Sequence, residues 1–137
     1  MLDQTDMQIL EQLSRNSRIT MKELGEIVHL TGPATSARVA KLEDMGIIEG
    51  YTIQVNQAKL GYLVHAIIHI YTRSTNHQPY LSFLKGYEQN VVNNFKVSGD
   101  SCYLLECRFQ SNDRLDEFLT GLSNNYVGYQ LSIVINK

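Results

Sequence analysis

The chain has 137 residues, of which 43% are hydrophobic and 19% are charged, and its formal net charge is −2. This balance is typical of a soluble globular protein and argues against the disordered and fibrous classes. The longest apolar stretches fall short of the roughly 20 residues that a membrane span needs. Acidic residues near the N-terminus replace the basic start of a secretion signal, so we expect no membrane partner and a cytoplasmic location.

Helical periodicity dominates residues 1–50. Asp3 is placed to cap a first helix, and the capping box Thr-Met-Lys-Glu at residues 20–23 begins a second one. A third helix follows after a link of only a few residues. The side chains predicted to face the core of these helices are Ile9, Leu10, Leu13, Leu24, Ile27, Val28, Val39, Leu42 and Met45.

The third predicted helix is built from small residues over its first two turns. Either Thr31 or Gly32 caps it, Pro33 lies in the first turn where a missing N–H costs nothing, and Gly46 ends it. Residues 34–37 are Ala-Thr-Ser-Ala, where a core helix would carry bulky apolar side chains. This end of the helix therefore indicates a surface that something else approaches closely.

Three short helices with a tight link between the second and third match a helix-turn-helix. The recognition helix of such a unit enters the DNA major groove N-terminus first, so its early residues must be small and polar. Arg38 and Lys41 lie one turn further on, where they can reach phosphates. Residues 1–50 carry 5 Lys and Arg against 8 Asp and Glu, a balance of −3 that is unusual for a DNA-binding module. A plain three-helix bundle is the alternative on pattern alone.

The alternating segment Ile-Ile-Glu-Gly-Tyr-Thr-Ile-Gln-Val after Gly46 predicts a small strand pair, or wing. We divide the chain into a winged helix-turn-helix at 1–50, a wing strand and linker at 51–62, and a second domain at 63–137. Strand and helix patterns in the second domain follow the order βαββαβ, which predicts a ferredoxin-like α+β fold. One face of such a sheet is bare, and a second copy of the chain is the simplest partner to cover it.

Three motifs of the first domain resemble the winged helix-turn-helix of the Lrp/AsnC (leucine-responsive, feast/famine) transcriptional regulators. They are Leu-Asp-x-x-Asp, Arg-Val-x-x-Leu-Glu and Gly-Ile-Ile-x-x-Tyr, and Val-Ser-Gly-Asp-Ser-Cys-Tyr-Leu-Leu resembles the family's ligand-associated turn. The resemblance implies a non-enzymatic, sequence-specific regulator that binds double-stranded DNA. It also implies dimers formed through the second domain, larger rings of dimers, and an amino-acid effector bound at subunit junctions near the Gly-Asp turn. By this resemblance, DNA contacts fall at Thr31, Thr35, Ser36, Arg38 and Lys41.

The chain departs from the family pattern in its third helix. Gly32 stands where a proline is usual, Thr35 where an aliphatic residue is usual, and Ala40 where many members have a cation. The preferred DNA sequence is therefore expected to differ. A second role is open for Arg38, which could brace the fold through an acidic neighbour such as Glu43 or Asp44 instead of contacting DNA.

The effector turn departs from the pattern as well. By the resemblance, Ser98, Gly99, Asp100 and Tyr103 line the effector site, but Cys102 occupies the place of a second acid. Gly99 allows close approach to the backbone, and Asp100 is the remaining anion for the ammonium of an amino acid. We therefore expect a weakened or altered response, directed to an apolar amino acid. The alternative is that Gly99 and Asp100 only form a tight hairpin turn.

Other apparent sites are weaker. His65 and His69 are about 13 Å apart along a predicted strand, too far to share a metal ion, and are expected to be sheet-face residues. Cys102 and Cys107 point to opposite faces of one predicted strand and cannot pair. We expect no metal, no cofactor and no catalytic site. Two alternative functions stay open: an architectural protein that wraps DNA without a small-molecule response, and a ligand-binding module without DNA binding.

Overall fold

The computed structural model describes residues 1–125 and 127–136, which divide into two compact units, Met1–Gln54 and Val55–Lys137. The division falls inside the segment 51–62 that the sequence marks as wing strand and linker. In the part of the chain that the structure describes, no helix is long and apolar enough to cross a membrane. Each unit is built around its own apolar core.

The N-terminal unit contains the helices α1 (Gln4–Arg15), α2 (Met21–Val28) and α3 (Gly32–Asp44). All three begin at the predicted residues because side chains satisfy the free N–H groups of their first turns. Asp3 and Thr20 each form a capping box with the acid three residues later, and the hydroxyl of Thr31 accepts a hydrogen bond from the N–H of Ala34. Gly46 follows the end of α3 with a φ of 74°, in the region that favours glycine.

Most of the predicted core of this unit is confirmed: Ile9, Leu13, Leu24, Val28, Val39 and Leu42 are buried, with Leu10 packed against them. Two predicted core residues are wrong. Ile27 is 47% exposed because Leu24, Gly25 and Val28 form the buried side of the short helix α2, and Ile27 lies outside it. Met45 is 46% exposed because it lies beyond the last turn of α3, where the chain already turns away.

The predicted strand pair after Gly46 is wrong: residues 47–57, all described, contain no strand. The first half of the segment is used to end α3, since the N–H groups of Ile47 and Ile48 both donate to the carbonyl of Leu42, at 3.0 and 3.1 Å. The second half lacks a pairing strand and leaves Ile53 75% exposed. Alternating apolar residues indicate strand tendency, but a strand also needs a partner for its backbone groups.

The second unit has the predicted βαββαβ order. Its elements are β1 (Val64–Thr72), α4 (Gln78–Leu84), β2 (Val91–Lys96), β3 (Tyr103–Phe109), α5 (Asn112–Asn124) and β4 (Val127–Ile133). Among the described residues the strands form one sheet in the order β2-β3-β1-β4, and all neighbouring strands are antiparallel. This strand order confirms the ferredoxin-like fold.

One face of this sheet is covered by helices and the other is bare. On β1 the buried residues Ala66, Ile68 and Ile70 alternate with the half-buried His65 and Ile67. The helices α4 and α5 pack on the buried face, where the core side chains are Val64, Ala66, Ile68, Ile70, Tyr80, Leu84, Tyr103, Leu105, Cys107, Phe109, Leu115, Phe118, Leu119, Leu122 and Val127. This arrangement leaves the opposite face of the sheet without a covering layer within its own unit.

Candidate nucleic-acid interface and effector turn

The N-terminal end of α3 offers small, exposed side chains. Lys41 is exposed on the side of the helix away from the buried Val39, and on the same side the small residues Ser36, Ala37 and Ala40 are exposed. Side chains of this size allow a helix to approach a duplex closely, and Ser36 supplies a hydrogen-bonding group at the surface. Of the predicted DNA contacts, Ser36 and Lys41 therefore lie on one accessible face, together with the exposed cap residue Thr31.

Thr35 does not belong to that face, so its predicted contact with DNA is wrong. Its side chain is fully buried, and its hydroxyl donates to the carbonyl of Thr31 at 2.8 Å. It lies against Gly25 of α2, where an added Cβ would be 2.9 Å from the Thr35 hydroxyl and 2.5 Å from the carbonyl oxygen of Leu30. Thr35 and Gly25 thus hold the two helices of the helix-turn-helix in close contact.

Arg38 forms ion pairs within the first unit. Its guanidinium donates to the carboxylate of Asp3 at 2.5 Å and to that of Asp6 at 3.3 Å. Asp6 is only 3% exposed, so the guanidinium partners a carboxylate that water barely reaches. These contacts match the bracing alternative, but through different acids, since Glu43 accepts from the hydroxyl of Tyr51 at 3.1 Å. The contact of Arg38 with DNA phosphate stays a prediction.

The ionisation of these groups follows from the same contacts. The pKa of Asp3 is held below its ordinary value of 3.8, first by the backbone N–H of Asp6 and next by the hydrogen bond from Arg38. The hydrogen bonds to Asp3 and then to Asp6 raise the pKa of Arg38. The ion pair of Asp3 and Arg38 therefore links the start of α1 to the middle of α3.

The pairing of charges changes which cations are available to DNA. Arg15 donates to Glu11 at 2.6 Å and Arg38 is bound to two acids. Within residues 1–54, all of which are described, the cations outside ion pairs are Arg18, Lys22 and Lys41. Our sequence interpretation missed Arg18 and Lys22. A cation in the first turn of a helix interacts unfavourably with the helix dipole, and this unusual position of Lys22 was a signal that the sequence offered.

The predicted effector turn is a loop of residues 97–102 between β2 and β3. The N–H of Val97 donates to the carbonyl of Cys102 at 3.0 Å, and Gly99 has a φ of 112°, which a residue with a Cβ rarely adopts. The loop is longer than the tight hairpin turn considered from the sequence. Ser98, Gly99 and Asp100 are exposed in it, as a ligand-binding loop requires.

Tyr103 lies elsewhere, so its predicted place in the lining of the effector site is wrong. It is only 5% exposed because it is the first inward-facing residue of β3. Its hydroxyl meets Nδ1 of His77 at 2.9 Å, and its ring packs on Tyr80 with the ring centres 4.8 Å apart. Strand alternation after the loop decides this, since Tyr103 points to the core while Leu104 faces the bare side.

Cys102 is half-buried beside the loop. The hydroxyl of Thr72 donates to its sulfur at 3.3 Å, and this hydrogen bond is the first cause of a lowered pKa for the thiol. Cys107 is fully buried in the core, where burial raises the pKa of its thiol to about 12. A thiol this hard to ionise is a packing residue.

The two histidines of β1 lie on the bare face with separate partners. Nε2 of His65 is 2.6 Å from the carboxylate of Glu106, and Nδ1 of His69 is 3.4 Å from the hydroxyl of Ser101. In the described part of the chain no three His, Cys, Asp or Glu side chains converge as a metal site would require. The histidines are thus sheet-face residues.

Comparison with known proteins agrees with this geometry. Residues 2–49 match the family described as winged helix-turn-helix DNA-binding, and residues 65–137 match the Lrp/AsnC ligand binding domain. The transcriptional regulator LrpA of Bacillus subtilis is 57% identical over 137 residues, covering all of both chains. The solved structure of LrpC from Bacillus subtilis has a TM-score of 0.92 at 30% identity, covering 100% of this chain and 96% of that one. A transcriptional regulator from Neisseria meningitidis, solved with L-methionine, has a TM-score of 0.91 at 28% identity, covering 100% and 92%.

Proposed function

The chain belongs to the Lrp/AsnC family of DNA-binding transcriptional regulators, and we propose that it reads its DNA site through the exposed face of α3. The observation that carries the proposal is the row of small, exposed side chains on the first turns of this helix, set against a buried opposite side. A helix of this kind can lie deep in the major groove. Family members are regulators and not enzymes. We propose that this one acts on DNA in the cytoplasm.

Within that face we assign two kinds of contact. Ser36 faces the base edges, where a hydroxyl both donates and accepts. Lys41 contacts a DNA phosphate, and the free N–H groups at the start of α3, near Thr31, can bind a second phosphate. Arg38 acts indirectly, because its bonds to Asp3 and Asp6 hold α3 in place.

Replacing Lys41 by Ala is expected to weaken binding to all duplexes about equally and to lower the slope of log affinity against log salt by about one unit. Replacing Ser36 by Ala is expected to change the preferred sequence while leaving the salt slope unchanged. Both effects are measured by fluorescence anisotropy at several salt concentrations, using duplexes selected from a random pool.

Arg15→Ala is the matched control for Lys41, because Arg15 is exposed, pairs with Glu11 and lies outside the proposed face. Its salt slope should equal that of the unmodified protein. If Lys41→Ala leaves both affinity and slope unchanged, Lys41 does not contact phosphate. Equal affinity of the unmodified protein for selected and random duplexes would favour the architectural alternative.

We further propose that the bare sheet face joins two copies of the chain. Residues directly opposite each other on antiparallel strands share a face, and the pairing places Phe95, Leu104 and His69 in one row across three strands. Phe95 is 52% exposed in the single chain, and Ile67 lies on the same side of β1. The net charge of −3 in residues 1–50 disfavours DNA binding by a single copy. Association would compensate for this, because the second of two linked DNA-binding units binds the same duplex at a high effective concentration.

Replacing Leu104 by Lys is expected to convert the protein from a dimer or larger assembly into a monomer, because it places a charge in the middle of the proposed interface. Light scattering with size-exclusion chromatography gives the mass. Thr120→Lys is the control, since Thr120 is exposed on α5, on the helical side of the sheet. A monomeric unmodified protein, or an unchanged mass after Leu104→Lys, would remove this interface.

We also propose that an amino acid modulates DNA binding at the loop of residues 97–102. Asp100 is exposed there and is placed to meet an ammonium group, and Gly99 leaves room for a ligand next to the backbone. The likeness to a regulator solved with L-methionine supports an amino-acid effector. Because Cys102 replaces a second acid, the ammonium has fewer partners, which favours a weaker response or an apolar amino acid.

A further inference from the structure

A separate cavity of about 300 Å³ lies in the second unit, beyond the end of β1. Its floor is apolar and well buried, since Tyr80 is 1% exposed and Val127 is 6% exposed. The hydroxyl of Tyr80 is already used, because it donates to Asn94 at 2.8 Å. Tyr80 therefore presents its ring to the cavity, and the volume suits a small ligand with a short apolar tail.

The rim of the cavity carries hydrogen-bond donors that are not in use. Arg73 has no acidic partner among the described residues, and it lines the cavity with an exposed side chain. The side-chain oxygen of Asn76 accepts from the N–H of Gln78 at 3.1 Å, which leaves its NH₂ group to donate. A guanidinium and an amide NH₂ that line the same cavity can both donate to a carboxylate.

The described residues that line the cavity include no Asp or Glu. An ammonium group in this cavity would have no carboxylate partner among them and would share the cavity with the positive charge of Arg73, which disfavours its binding. The side-chain NH₂ of Asn125, also in the lining, donates one N–H to the carbonyl of Gly121 at 2.8 Å and leaves its second N–H to donate to a carbonyl oxygen of the ligand. The donor set thus matches an acid that lacks an amino group.

We propose that this cavity binds a small carboxylic acid with an apolar tail, of the 2-oxo acid class, through Arg73 and Asn76. The site is distinct from the loop of residues 97–102, but the two are connected. Thr72 lines the cavity, and its hydroxyl donates to the sulfur of Cys102 at the end of that loop. A ligand in the cavity therefore contacts a residue that is also bonded to the effector loop.

Isothermal calorimetry on the full chain with 4-methyl-2-oxopentanoate and with leucine tests the proposal. The oxo acid is expected to bind with saturation, and Arg73→Gln is expected to weaken its binding by about tenfold or more, because a charge-assisted pair of hydrogen bonds is lost. Arg114→Gln is the matched control, since Arg114 is an exposed arginine on α5 outside the cavity. Asp100→Ala should leave oxo-acid binding unchanged while weakening any binding of leucine at the effector loop.

Three results would overturn the assignment. They are absence of oxo-acid binding up to about 10 mM, unchanged oxo-acid affinity in Arg73→Gln, and loss of oxo-acid binding in Asp100→Ala. Leucine binding as tight as the oxo acid and equally dependent on Arg73 would contradict the preference for an acid without an amino group. DNA binding is not measured in this experiment, so its outcome is independent of the role proposed for α3.

Discussion

Replacing Gly25 by Ala is expected to lower the free energy of unfolding of the N-terminal unit by about 2 kcal/mol and to abolish most DNA binding. The added Cβ would lie 2.5 Å from the carbonyl oxygen of Leu30, which is backbone and cannot swing aside. The overlap outweighs the gain of about 1 kcal/mol that alanine brings to a helix interior. Because the overlap pushes α3 away from α2, the exposed face of α3 loses its position.

Thermal unfolding by calorimetry and hydrogen exchange of the amides in α2 and α3 measure this effect. Gly32→Ala is the matched control, because it makes the same change in the same unit at a position where an added Cβ meets nothing within 4 Å. Its stability should be equal or slightly higher. If Gly25→Ala is as stable as Gly32→Ala, the two helices are not held by close packing at this point.

Replacing Arg38 by Ala is expected to lower both the stability of the N-terminal unit and DNA affinity, whereas Lys41→Ala lowers affinity alone. Without Arg38 the carboxylate of Asp6 is left nearly buried with its charge partner gone, and the start of α1 loses its link to α3. Thermal unfolding and anisotropy on the same preparations separate the two effects. Lost affinity at full stability would restore Arg38 as a direct DNA contact.

Acid unfolding provides a second measure of the same cluster. Because the pKa of Asp3 in the folded chain lies below its ordinary value of 3.8, its contribution to stability is fully present above that pH. The contribution is lost as the pH falls through the lowered pKa of the folded state. Arg38→Ala removes one cause of the lowered pKa, so its stability should fall less steeply in this pH range. An equal pH dependence in both proteins would show that Arg38 does not act through Asp3.

The helix starts were predictable because their causes are local. Asp3, Thr20 and Thr31 each cap a helix through a backbone N–H three residues away, so the necessary information lies within one turn of sequence. The same holds for Gly99, whose backbone angle only glycine adopts easily. The prediction of a strand failed where the strand needed a partner from elsewhere in the chain. The side chains of segment 51–55 alternate as in a strand, but no neighbouring strand is present in the described unit.

The candidate sites divide in the same way. Sequence identified α3 and the loop of residues 97–102 as the functional segments, but it could not tell which of their side chains are accessible. Thr35 looks like an early polar residue of a recognition helix, although the aliphatic residue usual at its position in the family was a signal of burial. Arg38 looks like a phosphate contact, and only the fold brings it to Asp3, 35 residues earlier.

Sequence by itself determined the two-part organisation, the order of helices and strands, the capped helix starts and the class of regulator, because each is encoded in local periodicity and short motifs. Tertiary structure alone decided that Thr35 and Tyr103 are packing residues, that Arg38 is paired with two acids of α1 and its cap, and that Arg73 lines a cavity with Tyr80 and Val127. The physical reason is that burial and ion pairing depend on which distant elements pack together, and a side chain's own sequence neighbours do not specify that.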